Sequence, residues 1–294
     1  MMKNKTFVVD QRKHRVKKQI GEGSHATVWL AEAIFYPHDA ITIKTTKDDP
    51  VAQERIKNEI LFLKEVNHPR IPQMLAFDQE NYKWFAMPHL RNIHISLPDK
   101  GRIAEYDISN LDLQTGYPSH AKNIPLKYRE NLAINIVEDI VSVVDYISST
   151  GAVHADISPG NIMESRGSLI HKHYLLSDWG ATVAVDKSNE EAFGSLHFIA
   201  PERFMDHTES KSDLYSLGAV AFYILTGTIP YPGTSGEEYY LNTAIYDGVS
   251  PVDIEKDISP SLGKLIAKLI RKEPKDRPSA EEALRKIQKM KQKH

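Results

Sequence analysis

In the middle of the chain two carboxylates and an amide stand at spacings suited to metal-assisted proton transfer. The run His154-Ala155-Asp156-Ile157-Ser158-Pro159-Gly160-Asn161-Ile162 puts an acid and an amide five residues apart on a loop, a proton acceptor and a metal ligand facing one site. Twenty-two residues after Asp156, Ser177-Asp178-Trp179-Gly180 follows the strand-like Tyr174-Leu175-Leu176. An acid at a strand end beside a glycine suits a divalent cation. Magnesium takes carboxylate, amide and phosphate oxygens, and a chain without cysteine offers nothing softer than histidine.

Two further groups point to phosphate. Ile20-Gly21-Glu22-Gly23-Ser24-His25-Ala26-Thr27-Val28 reads as a strand, a tight turn and a strand. Its glycines expose backbone N–H groups that can cover a triphosphate. Ala26 stands where a third glycine would complete such a loop. Sixteen residues after Val28, Lys44 ends the apolar run Ile41-Thr42-Ile43. A lysine there is costly to bury unless it is paired. Glu59, on the next helix, faces the same way as Ile56 and Leu63 and is the expected partner; Glu54 and Glu65 compete for the role.

These side chains need elements to hold them. Residues 16–20, 27–33, 41–45, 74–77 and 84–87 read as five strands, the first two forming a hairpin. Between them, Ile56, Ile60, Leu61, Leu63 and Val66 recur at helical spacing over 51–66, and Asn67-His68-Pro69 stops that helix. Residues 91–125 are polar, carry three prolines and two glycines, and show no period. They read as a connecting segment with at most one short helix. Beyond it, helices are predicted over 126–149, 213–226, 260–270 and 280–291. The basic run 286–294 reads as a solvated helix face.

Composition excludes several classes. With 41% apolar and 26% charged residues, the chain is neither disordered nor fibrous. A formal charge of -2 gives no global field to steer nucleic acid. No apolar run approaches the roughly 20 residues of a membrane span, and residues 1–18 lack the apolar core of a signal peptide. Neither nucleic acid nor membrane is expected as a partner. The absence of cysteine fits a cytoplasmic chain. The thirteen histidines form no spaced set with a clear third ligand and read as surface residues.

Taken in order, the motifs resemble the eukaryotic-type protein kinase family, serine/threonine-like. The glycine loop, strand lysine, helix glutamate, catalytic loop and Asp-x-Gly triplet appear in that family's order and spacing. Gly194-Ser195-Leu196-His197-Phe198-Ile199-Ala200-Pro201-Glu202 is similar to its substrate-binding loop and closing Ala-Pro-Glu. Ser212-Asp213-Leu214-Tyr215-Ser216-Leu217-Gly218 looks like the start of its central helix. Asp276-Arg277-Pro278 looks like its late arginine motif, in which Arg277 pairs with Glu202.

The resemblance implies an α+β, bilobal protein kinase fold. Residues 1–90 form an ATP-binding N-lobe with a five-stranded sheet and one main helix, and 91–294 a mainly α-helical C-lobe. It implies ATP and Mg2+ as cofactors and a protein substrate. Gly21, Gly23, Ala26, Val28, Met87 and His89 surround the nucleotide. Lys44, supported by Glu59, orients its phosphates. Asp156 positions and deprotonates the attacking hydroxyl, and Asn161 and Asp178 hold the metal.

Three positions depart from the family pattern. Ala155 replaces an arginine, Ser158 a lysine and Trp179 a phenylalanine. Three other readings fit the same residues: a kinase-shaped binding module without chemistry, a small-molecule phosphotransferase, and a tyrosine kinase. The family arginine at 155 grips a phosphorylated activation segment, which a methyl group cannot do. An enzyme competent without phosphate at Ser188 is therefore expected. Ser195 is expected to serve the substrate-binding loop.

Overall fold

A computed structural model describes residues 2–36, 39–99, 102–107, 124–165, 172–185, 196–205, 207–231, 235–245 and 249–292. The chain divides into two compact units. One comprises the residues up to Leu90 together with Asp178–Gly180; the other comprises Arg91–Ser177 and the chain from Ala181 onward.

The first unit is an antiparallel sheet with one helix. Its strands are β1 (Thr6–Val9), β2 (Arg12–Glu22), β3 (Ala26–Ala33), β4 (Ala40–Thr46), β5 (Ala76–Phe77) and β6 (Trp84–Pro88), in the order β1-β2-β3-β4-β6-β5. The five strands expected from sequence are all present, and β1 makes a sixth. Phe7 and Val9 alternate inward and join Val16, Ile41, Ile43 and Ala86 in the core. Phe7 also meets Trp84 edge to face at 4.8 Å. The strand escaped sequence reading because it is four residues long. Its turn also lacks the usual glycine, with Asp10 and Gln11 both at positive φ (48° and 63°). Helix α1 (Pro50–Glu65) begins where the Asp49 side chain accepts from the Ala52 N–H, with Pro50 in the first turn. It buries Ala52, Ile56, Glu59, Ile60 and Leu63. A glutamate in that row marks the helix as more than a structural brace.

The second unit is mainly helical. It contains α2 (Leu126–Ser149), α3 (Ser212–Thr226), α4 (Gly236–Ile245), α5 (Pro251–Ile254), α6 (Pro260–Leu269) and α7 (Ala280–Lys291). The expected helices fall within a residue of these bounds; α4 and α5 were not anticipated. Helix α2 packs on α3 and α7, and α6 packs on α3. All fifteen residues of α3 are buried, so it is the core about which the others assemble. Short strands complete the unit: β7 (Arg91–Asn92), β11 (Ile162–Glu164) and β12 (Tyr174–Leu176) form one sheet, and β10 (Ala152–Val153) pairs with β13 (Val183–Ala184). Part of the segment read as aperiodic is a hairpin, β8 (His94–Asp99) with β9 (Arg102–Asp107). Pro98 was taken as a breaker, whereas an edge position tolerates proline because no ladder donor is needed there. Residues 108–123 lie outside the described residues. Among the described residues no helix is long and apolar enough to cross a membrane.

One glycine sets the α3–α6 approach. A Cβ at Gly218 would lie 2.6 Å from the Leu269 Cβ and 2.9 Å from the Ile270 Cγ2. Gly218→Val is expected to lower unfolding free energy by about 1–3 kcal/mol, the overlap outweighing the few tenths gained in helix propensity. An unchanged urea midpoint would contradict so close an approach.

Candidate active site

In the first unit the sheet aims one cation at two acids. Lys44 lies mid-sheet on β4, opposite Val28 of β3 and Phe85 of β6. Its Nζ donates to Glu59 Oε2 at 2.7 Å and to Asp178 Oδ1 at 2.7 Å. Sequence left three partners open, and helix phase selects Glu59. Glu54 and Glu65 stay off this cation because α1 turns them away from the face that carries Ile56, Glu59 and Leu63. Glu59 also accepts the Trp179 N–H through Oε1 at 3.0 Å. The Trp179 ring stacks on Phe62 of α1, centroids 4.7 Å apart, so tryptophan fills an apolar slot at this position. Asp178 takes a left-handed backbone, φ 65°. A Cβ at Gly180 would lie 3.5 Å from Asp178 Oδ1 and 3.6 Å from Glu59 Oε2, so the residue beside the acids is held at van der Waals distance.

Burial works against the Lys44 ammonium, but Asp178 and Glu59 more than offset it and hold its pKa above that of an ordinary lysine. Lys44 is charged at any physiological pH. Burial pushes the Glu59 carboxyl up, against the pull of Lys44. Glu59 is almost fully enclosed, whereas the Asp178 side chain is 48% exposed. Of the two acids, Asp178 is therefore the one that presents carboxylate oxygen outward. One ammonium between two carboxylates leaves a local deficit of positive charge, and hard oxygen is the donor type magnesium requires.

The turn between β2 and β3 closes with Gly23 N–H on the Ala26 carbonyl at 2.9 Å. Gly21 pairs with Val28 across the hairpin, and a Cβ there would sit 3.5 Å from that side chain. Met87 pairs with Thr42 on the neighbouring strand. His89 donates its backbone N–H to Ala40 at 3.3 Å, and its ring meets the Thr42 hydroxyl at 3.0 Å. The His89 N–H is thus engaged with β4.

In the second unit the loop after β10 carries the remaining candidates. Asn161 donates through Nδ2 to the Asp156 carbonyl at 2.8 Å and to Asp156 Oδ2 at 3.0 Å. Both bonds use the amide nitrogen, so neither consumes the carboxamide oxygen, the atom that would bind a metal. Asp213, in the first turn of α3, accepts the His154 N–H at 2.7 Å and the Ala155 N–H at 2.9 Å. The His154 ring bridges the Asp156 N–H (3.2 Å) and the Ser177 carbonyl (3.1 Å). Ala155 adopts φ 70°. A left-handed alanine costs about 1–2 kcal/mol. Hydrogen bonds to a carboxylate contribute about 1.5–3 kcal/mol each, so two of them hold the strained loop with margin. Burial raises the Asp213 carboxyl to about 6, against the two N–H bonds that lower it. At neutral pH it is ionised and acts purely as an acceptor.

Deeper in the unit, Arg277 and Glu202 form a two-pronged pair, Nη1–Oε1 and Nη2–Oε2 both 2.7 Å. Carbonyls of Arg271, Lys272 and Lys211 take the other guanidinium donors. Ser212 adds its hydroxyl to Glu202 at 2.7 Å. A buried pair this fully satisfied fastens the Pro201–Met205 turn to the chain before α7.

The structure thus joins Lys44, Glu59 and Asp178 in one unit, and Asp156 and Asn161 in the other. Sequence reasoning named Asp213 only as part of a helix start. An acid opening the helix that carries the apolar run Leu217–Leu225 was the signal that it must be bonded. Ser188 and Ser195 lie outside the described residues. Among the described residues, no group of three or more histidine, aspartate or glutamate side chains is placed to hold a metal by itself.

Residues 14–287 match the family model described as the protein kinase domain. The chain belongs to the protein kinase family. Its fold, a sheet-rich N-terminal part and a helical C-terminal part, is that of a kinase domain. Similar curated proteins include the probable serine/threonine-protein kinase PknB of Lactococcus lactis, 24% identical over 90% of this chain and 40% of that protein. The serine/threonine-protein kinase PknD of Chlamydia pneumoniae is 23% identical, over 91% of this chain and 30% of its own length. The serine/threonine-protein kinase PrkC of Bacillus subtilis is 26% identical, over 89% and 38%. The chain spans well under half the length of each of these relatives.

Proposed function

We propose that the chain is a protein serine/threonine kinase transferring the γ-phosphoryl group of ATP to a hydroxyl of a protein substrate. The observation that carries this reading is the Lys44–Glu59–Asp178 cluster. A buried ammonium held between two acids, one of them half-exposed, is the arrangement that phosphate and a divalent cation complete. ATP supplies the phosphoryl group, and Mg2+ supplies charge that neutralises it in transfer.

Each residue has a distinct task. Lys44 orients the α- and β-phosphates while Glu59 fixes its position. Gly21, Gly23, Ala26 and Val28 cover the nucleotide, and Met87 stands behind adenine. His89 contacts the base through its carbonyl, because its N–H is engaged with Ala40. Asp178 and Asn161 would hold the Mg2+. Asp156, steadied by the Asn161 amide, orients the substrate hydroxyl and takes its proton.

The enzyme works without phosphate on its activation segment. Ala155 offers no cation to grip such a phosphate, and Asp186, Glu190 and Glu191 would repel one placed at Ser188. Phosphatase-treated protein and Ser188→Ala are both expected to retain activity on an exogenous protein within about twofold. A tenfold loss in either sample would contradict this.

A further inference from the structure

Arg203 is a buried arginine with no task in the scheme above. It lies in the Pro201–Met205 turn, directly after Ala-Pro-Glu, and is 4% exposed. A guanidinium so enclosed requires acceptors. Its Nη1 donates to the backbone carbonyl of Ala155, the left-handed residue immediately before Asp156. Asp213 holds the N–H of the same residue from the other side. Ala155 is thus clamped at both ends, its N–H by an anion and its C=O by a cation. Burial holds the Arg203 pKa below that of an ordinary arginine, and the negative charges of Asp213, Asp156 and Glu202 offset part of that cost.

The clamp bears directly on Asp156. The peptide joining 155 to 156 is rigid, so fixing its carbonyl fixes the plane from which the Asp156 side chain departs. Without Arg203, a buried carbonyl loses a charged donor, and the strained alanine can relax by rotation of that peptide. Residue 155 itself provides no cation.

We infer that Arg203 is a positioning residue for Asp156, supplying from the end of the activation segment the cation that residue 155 lacks. The inference rests on the kinase reading for the task of Asp156, but not for the clamp itself. A permanently charged side chain here ties the segment's end to the catalytic loop with no modification required.

The test compares the wild-type chain with Arg203→Ala, Arg203→Gln and Arg203→Lys. Amide hydrogen exchange is followed over residues 153–161, with α2 and α3 as internal references. Arg203→Ala is expected to speed exchange over 153–161 at least tenfold and leave the helices unchanged. Its kcat should fall at least tenfold with KM for ATP within threefold. Arg203→Lys should recover much of both, and Arg203→Gln less, because charge as well as a donor is needed. Should the alanine variant not fold, the lysine and glutamine variants carry the comparison alone. Unchanged loop exchange, a uniform rise across α2 and α3, or equal behaviour of lysine and glutamine would overturn the inference. Exchange needs no turnover. Inactive wild type with a loosened loop in the variant would sink the kinase reading and leave the clamp standing. Active wild type with an unaffected variant would do the reverse.

Discussion

Asp156→Asn is expected to lower phosphoryl transfer by roughly 10²–10⁴-fold, the scale of a lost general base, while Mg2+·ATP affinity stays within about threefold. The substitution keeps the shape of the loop. An asparagine oxygen can still accept from Asn161 Nδ2, and the Asp213 bonds to His154 and Ala155 involve only backbone donors. What disappears is the negative charge that, in the proposed function, orients and deprotonates the substrate hydroxyl. Asp178→Asn should behave differently. A neutral amide is a poorer magnesium ligand, and Lys44 loses one of its two anions. Both transfer and nucleotide affinity should fall. Titration calorimetry beside single-turnover transfer separates the two cases. Equal loss of nucleotide affinity in both variants would show that the roles are wrongly divided.

Lys44→Ala and Glu59→Ala should each reduce kcat/KM by about two orders of magnitude or more, and the double variant should be little worse than either alone. Residues acting as one unit give strongly non-additive losses. The geometry explains why. Glu59 is almost fully enclosed, and without Lys44 its carboxylate would be buried against Asp178 with the Trp179 N–H left as its donor. Without Glu59, Lys44 keeps Asp178 as its partner, which would draw that acid away from its proposed part in holding the metal, and Trp179 loses the Glu59 oxygen that accepts its N–H. Either deletion disables the same cluster. Losses that multiply independently would mean the two side chains do not work together.

Much of this was legible in the sequence because it depends on period and spacing. Apolar recurrence placed α2 and α7 on their observed bounds. It also set Glu59 on the same face as Ile56 and Leu63, but Glu54 and Glu65 stayed open until the structure placed Glu59 on Lys44. The features that sequence left open are tertiary. Strand β1 is too short to show a period and turns on Asp10-Gln11 without glycine. The β8–β9 hairpin was hidden by Pro98. From sequence Arg203 is, with Lys187, one of the distant bases that could stand in for the arginine missing at 155, and nothing local announces that a chain reversal brings it onto the Ala155 carbonyl. Likewise Asp213 becomes meaningful only once α3 places it beneath the catalytic loop. Short-range patterns are written in neighbouring residues, whereas a buried polar contact depends on the partner that folding brings.

The most direct measurement of the central claim is transfer of label from γ-³²P-ATP with Mg2+ to a panel of protein substrates, followed by phosphoamino-acid analysis. Wild-type protein should place label on serine or threonine, and Asp156→Asn should leave it in the nucleotide. Label appearing on tyrosine or on a small molecule, or Mg2+·ATP binding without any transfer, would contradict the account.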